Sequence, residues 1–177
     1  GEGYGLSVDG LERCLKEQSP SLIIAVDCGT TSIDEVRWLQ DHGVECVILD
    51  HHEPSPTGLP DCIALVNPKV PEPGKPLRFD YLCSAGVVFK LAHAMLKKRP
   101  VNDFKLRDHL DVVAVGTVAD IVPLVEENRT LVKSGLRELA RTHNVGLAAL
   151  AEIAGINPPY GAQDISFRIS PRLNAAG

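Results

Sequence analysis

Two short apolar runs, Leu22-Ile23-Ile24-Ala25-Val26 and Cys46-Val47-Ile48-Leu49, each stop abruptly at an aspartate. Between them the apolar positions change to helical spacing, with Val36 and Leu39 on one face. Ser32 and Glu35 have the spacing of a capping box, and Gly43 suits a left-handed helix stop. Strand, helix and strand within about 30 residues predict a βαβ unit with parallel strands and a right-handed crossover. Asp27 and Asp50, one residue beyond the two runs, are then expected on the same rim of the sheet. Upstream, Val8, Leu11 and Leu15 predict a short amphipathic helix capped by Ser7. Downstream, Ile63 to Val66 reads as a third strand, and the proline-rich stretch from Pro71 to Arg78 as an exposed loop.

The second half changes character. Ser84 opens a predicted helix that turns Val88, Leu91, Ala92 and Met95 inward and ends on Lys97, Lys98 and Arg99, charges that suit a helix C-terminus. From Asp103 to Val125 the text is strongly apolar and predicts a buried helix ending near Gly116-Thr117. A further helix from about Asn128 to Arg141 sets Arg129, Lys133, Arg137 and Arg141 at successive i,i+4 positions as a basic ridge. Gly146 to Ile153 reads as another short helix, and the last residues mix Phe167 and Ile169 with Arg168 and Arg172. The expected fold class is α/β, a parallel sheet flanked by helices and followed by a mainly helical segment. The expected division is residues 1–102, the βαβ part, and 103–177, the helical part of the same core.

Composition narrows this little but usefully. At 177 residues with 44% hydrophobic content, the chain can bury a real core. No apolar run approaches the roughly 20 residues that span a bilayer, and no signal-like segment opens the chain, so a cytoplasmic location without membrane association is expected. The single methionine is Met95, and the chain begins at Gly1 and stops at Gly177, as a piece truncated at both ends would. Five scattered cysteines form no Cys-x-x-Cys pair and are expected as reduced thiols, Cys28 among them as a neutral thiol near a site. A net charge of −5 argues against one broad basic face for duplex nucleic acid, but not against a nuclease whose carboxylates hold divalent ions.

The chemistry concentrates at Asp50-His51-His52, where an apolar strand delivers a carboxylate and two imidazoles to the sheet rim. Two strand-end carboxylates on one rim repel unless a cation lies between them. Asp27 is open to two roles, a helix cap or a metal ligand. Asp120, between Val118-Ala119 and Ile121-Val122, stands in an apolar setting where a carboxylate must be paired with an arginine, hydrogen-bonded or bound to metal.

Several ordered stretches together resemble the DHH phosphoesterases, named for the triplet that stands here as Asp50-His51-His52. Ile24-Ala25-Val26-Asp27-Cys28-Gly29 looks like a second motif of that family, and Val115 through Leu124 like its fourth. The opening Glu2-Gly3-Tyr4-Gly5-Leu6-Ser7, the helix start from Cys83 to Leu91 and the close Phe167-Arg168-Ile169-Ser170-Pro171-Arg172-Leu173-Asn174-Ala175-Ala176-Gly177 resemble its RecJ-type branch, single-strand-specific exonucleases.

The resemblance implies an enzyme that hydrolyses phosphodiesters 5′ to 3′ on single-stranded DNA in repair and recombination. It implies a two-ion Mn²⁺ or Mg²⁺ site, with Asp27, Asp50, His51 and Asp120 as metal ligands. Asp50 and His52 are its catalytic candidates, and Arg172 with Arg168 its phosphate-binding ones. Single-stranded DNA, a single-strand-binding protein and a helicase are the implied partners. The family's first motif of paired aspartates is absent, so this piece alone is expected to bind metal weakly and to show little nuclease activity. Other DHH chemistries stay open: a pyrophosphatase, a phosphodiesterase of oligonucleotides or cyclic dinucleotides, or a non-catalytic nucleic-acid-binding relative.

Overall fold

The structure is a computed structural model, and it describes residues 5–175. Glu2-Gly3-Tyr4 and Ala176-Gly177, parts of two of the motifs above, lie outside the described residues. The chain forms two compact units, residues 1–80 and 81–177. That division falls earlier than residue 102 because the helix starting at Ser84 packs on helices of the second half.

In the first unit, α1 (Val8–Gln18) begins at Ser7, whose hydroxyl accepts from the Gly10 amide at 3.2 Å. Then follow β1 (Leu22–Val26), α2 (Ile33–Asp41), β2 (Glu45–Leu49) and β3 (Ala64–Val66). The sheet order is β1-β2-β3 and both pairings are parallel, with Val26 opposite Leu49 and Leu49 opposite Val66. The expected βαβ unit is therefore present. Its helix stops as the sequence predicts: Gly43 takes φ 71°, its amide donates to the Gln40 carbonyl, and the Val44 amide donates to the Leu39 carbonyl. Leu39 and Val44 join Leu11, Val36, Ala25, Cys46 and Ile48 in the core of this unit.

One local expectation differs from what is found. Ser32 is the N-cap of α2 but its side chain makes no capping bond, because its backbone (φ −85°, ψ 60°) lies outside the extended geometry that aims a cap at the first turn. β1 is buried on one face only. Ala25 is buried, whereas Leu22, Ile24 and Val26 on the opposite face are exposed.

In the second unit, α3 (Ser84–Lys98) is followed by a 3₁₀ turn (Leu106–His109), α4 (Leu110–Ala119), α5 (Glu126–Leu139) and α6 (Val145–Ile153). The chain ends in a run made of α7 (Ala162–Asp164), a π-helical turn (Ile165–Ile169) and α8 (Ser170–Asn174). α4 is apolar on all sides, as the sequence suggested, and Ala114, Val115 and Val118 pack with Val132, Leu139, Leu147, Ile165 and Ile169. The inward stripe expected along α3 is only partly realised. Val87 near its start is buried, but Met95 is 61% exposed, since only the first turns of α3 enter the packed region. No helix among the described residues is long and apolar enough to cross a membrane.

One buried carboxylate ties the helical unit together. Glu138 accepts from Arg107 Nε at 2.9 Å and from Arg141 Nε and Nη2 at 2.8 and 2.6 Å. Its carboxyl is lowered to about 2, chiefly by the Arg141 hydrogen bonds and then by Arg107. A folded value below the ordinary carboxylate value of about 4.3 means that the unfolded chain binds more protons between the two. The stability this group contributes is therefore complete above about pH 5 and is lost as pH falls towards 2. Acid titration of Glu138→Gln by circular dichroism is expected to show a flatter dependence of stability on pH in that window than the parent shows. Equal slopes would remove this assignment.

Candidate metal centre

The parallel register carries three polar residues to one edge of the sheet: Asp27 after β1, Asp50 after β2 and Asn67 after β3. The backbone ladder continues one step past the strands. The Asp27 amide donates to the Leu49 carbonyl and the Asp50 amide to the Val66 carbonyl, both at 3.0 Å. Asp27 itself has φ 65°, a left-handed conformation that aspartate tolerates better than most residues. The following Gly29, at φ 107°, lies where a Cβ would come within 3.2 Å of the Ile48 side chain, so only glycine allows the turn to press on β2.

Ligand atoms of Asp27, His51 and His52 all lie within 4.8 Å of one another. His51 is buried, and its Nε2 stands 3.4 Å from Asp27 Oδ1. Donors about 2.1 Å from a shared octahedral ion are about 3 Å apart, so this spacing suits two ligands of one cation. A carboxylate with imidazoles fits a divalent ion of intermediate hardness such as Mn²⁺.

Asp50 is held by hydrogen bonds. It is 1% exposed, and both oxygens are committed: Oδ2 accepts from the Thr30 amide at 3.0 Å, and Oδ1 accepts from the His51 amide at 2.7 Å and the His52 amide at 3.3 Å. Its Oδ1 is also 2.7 Å from His52 Nδ1. With the proton on Nδ1, His52 donates to Asp50 and turns Nε2 outward as a lone-pair donor, the arrangement by which carboxylates orient metal-binding imidazoles. Burial alone would raise the Asp50 carboxyl. The bonds from Thr30 and His52, followed by the backbone amides, outweigh it and hold the group at about 2. The repulsion expected between Asp27 and Asp50 is thus relieved on the Asp50 side by hydrogen bonds.

Two residues of this site were not singled out from the sequence. Buried Thr30 receives a bond from Asn67 Nδ2 at 2.9 Å, and the same amide group donates to the His52 carbonyl at 2.8 Å. Asn67 follows β3 as Asp50 follows β2, and that repeated strand-end position was the available signal. Cys28 stays a neutral thiol, as expected, because burial pushes its thiol up and the charges of Asp50 and Asp27 push it further.

The model of the DHH family's N-terminal domain matches residues 6–117. The chain belongs to the DHH family. Its Asp50-His51-His52 triplet, from which the family takes its name, lies in the matched region. This DHH chain is 41% identical over 177 residues to the single-stranded-DNA-specific exonuclease RecJ of Bacillus subtilis, covering 99% of itself and 21% of that protein. A crystal structure of exonuclease RecJ bound to manganese superposes with a TM-score of 0.82 at 36% identity, over 99% of this chain and 42% of that one. RecJ from Thermus thermophilus in complex with Mn²⁺ gives 0.80 at 35% identity, over 96% of this chain and 24% of that one. The chain therefore spans less than half the length of these proteins, between 21% and 42%. The parallel sheet flanked by helices is the architecture it shares with them.

The remaining candidates lie in the second unit. Asp120 is the C-cap of α4 and is exposed, so the apolar residues around it do not enclose it as the sequence suggested. They turn away because Ile121 adopts φ 58° and is 90% exposed, ending the helix where a glycine is usual. Arg168 and Arg172 are both exposed on the terminal helical run. Arg172 Nη1 donates to the Arg168 carbonyl at 2.6 Å, and Arg168 Nη1 to the Ala154 carbonyl at 3.3 Å.

Proposed function

We propose that this chain forms part of the catalytic core of a metal-dependent exonuclease that degrades single-stranded DNA from the 5′ end. The observation that carries the reading is the clustering of Asp27, His51 and His52 at the ends of adjacent parallel strands, with buried Asp50 fixing His52 from behind. Asp27 and His51 would hold a Mn²⁺ or Mg²⁺ ion, and the motif resemblance makes Asp120 a further candidate ligand. Such an ion polarises a phosphoryl oxygen and lowers the pKa of bound water. His52 would present Nε2 to the metal or to the scissile phosphate while Asp50 holds its tautomer. Arg172 and Arg168 offer guanidinium groups for phosphate oxygens, in forks that can bind them bidentately.

On this reading the protein works in the cytoplasm in repair and recombination, beside a single-strand-binding protein and a helicase.

The test, run on the longer protein that would contain this core, is Mn²⁺-dependent release of mononucleotides from the 5′ end of labelled single-stranded DNA, with blunt duplex and dinucleotide substrates in parallel. His51→Ala is expected to lower the rate at least 100-fold, the upper range for disturbing a metal site's supporting groups and a floor for a ligand. Release confined to dinucleotides or inorganic pyrophosphate would instead mark another DHH chemistry.

A further inference from the structure

We propose that the helical unit carries an additional contact for single-stranded nucleic acid, a groove along α5 whose residues include none of those in the metal centre. It takes its ligand class from the exonuclease reading above. Arg129, Lys133 and Arg137 follow one another at i,i+4 spacing, about 6 Å per step along the helix axis. All three are exposed, and among the described residues none forms an ion pair. The other cation of the ridge behaves differently. Arg141 is engaged by Glu138, and Glu127 at the start of α5 is engaged by Lys90 at 2.5 Å. The structure thus separates three uncompensated charges from a ridge of four that look equivalent in the sequence.

These cations border a groove of about 690 Å³. Its floor is apolar, with Leu124, Leu136, Pro158, Pro159 and the half-buried Tyr160, and no acidic side chain lines it. Evenly stepped positive charge beside flat apolar faces matches a single strand, which carries regularly spaced phosphates on one edge and stackable bases on the other. An acidic peptide satisfies the charge, but it has less use for the flat faces of a tyrosine and two prolines.

Binding of a fluorescein-labelled oligothymidylate, followed by anisotropy in EDTA over a salt series, tests this without any cleavage. Failure of the exonuclease reading would therefore leave the measurement intact. The combined Arg129→Gln, Lys133→Gln, Arg137→Gln variant is expected to bind roughly tenfold or more weakly at low salt. Its slope of log affinity against log salt is expected to fall by about 2, since three single-strand phosphate contacts contribute about 0.7 each. Tyr160→Leu should weaken binding with the slope unchanged. Lys97→Gln with Lys98→Gln on α3 is the charge control. Thermal melts confirm that each surface variant is folded. The proposal is overturned if the triple variant matches its parent, if the α3 control falls as far, or if the triple variant loses affinity for an acidic amphipathic peptide and not for the oligonucleotide.

Discussion

Gly135→Ala is expected to destabilise the helical unit by about 3 kcal/mol or more, the upper range for overpacking a filled core. In the interior of a helix, alanine ordinarily gains up to about 1 kcal/mol over glycine, so the predicted sign is opposite to that of propensity. The reason is contact with backbone. A Cβ at Gly135 would lie 2.1 Å from the Leu110 carbonyl oxygen and 2.4 Å from the Ala114 Cβ. Neither atom belongs to a flexible side chain, so α4 and α5 must move apart as rigid bodies. That movement opens the cluster in which Ala114, Val115 and Val118 meet Val132 and Leu139, and it costs dispersion contacts along the whole interface. Urea denaturation of Gly135→Ala beside Ser134→Ala, its half-buried neighbour, measures the difference. A loss below about 1 kcal/mol at Gly135 would mean that the helices are not pressed together as described.

This close approach was invisible in the sequence, where Gly135 stands inside a well-formed helical pattern. Features set by local chemistry were legible: the Ser7 cap, the Gly43 stop, and the apolar runs that become β1 and β2. Features that depend on which faces meet were not. Met95 has the correct period to be inside yet is exposed, and Asp120 sits among apolar residues yet is exposed because Ile121 turns the chain. The same distinction holds at the metal centre. Parallel strands of equal register bring Asp27 and the His51-His52 pair together, which strand periodicity can foretell. The direction of the Asp50 carboxylate depends on amides of Thr30, His51 and His52 converging from two loops, and no one-dimensional pattern encodes that convergence.

Asp50→Asn is expected to weaken Mn²⁺ binding 10- to 100-fold, the range for losing a carboxylate that orients a metal-binding imidazole. The substitution keeps the shape and removes one acceptor oxygen. Of the donors now shared by Oδ1 and Oδ2, at least one is left buried without a partner, at a cost of about 1–3 kcal/mol in stability measured without metal. The pH dependence has a definite sign. The parent carboxyl, held at about 2, contributes stability above about pH 4 that is lost on acidification towards 2, and the asparagine variant lacks this component. Whether Asp50 acts through His52 or binds the ion itself is decided by a double-mutant cycle. If it acts through the imidazole, Asp50→Asn combined with His52→Ala should bind Mn²⁺ about as well as His52→Ala alone, because the group being oriented is gone. If instead the two losses multiply, Asp50 contributes to the ion independently, and the role of positioning residue given to it by its 1% exposure and its committed oxygens must be abandoned.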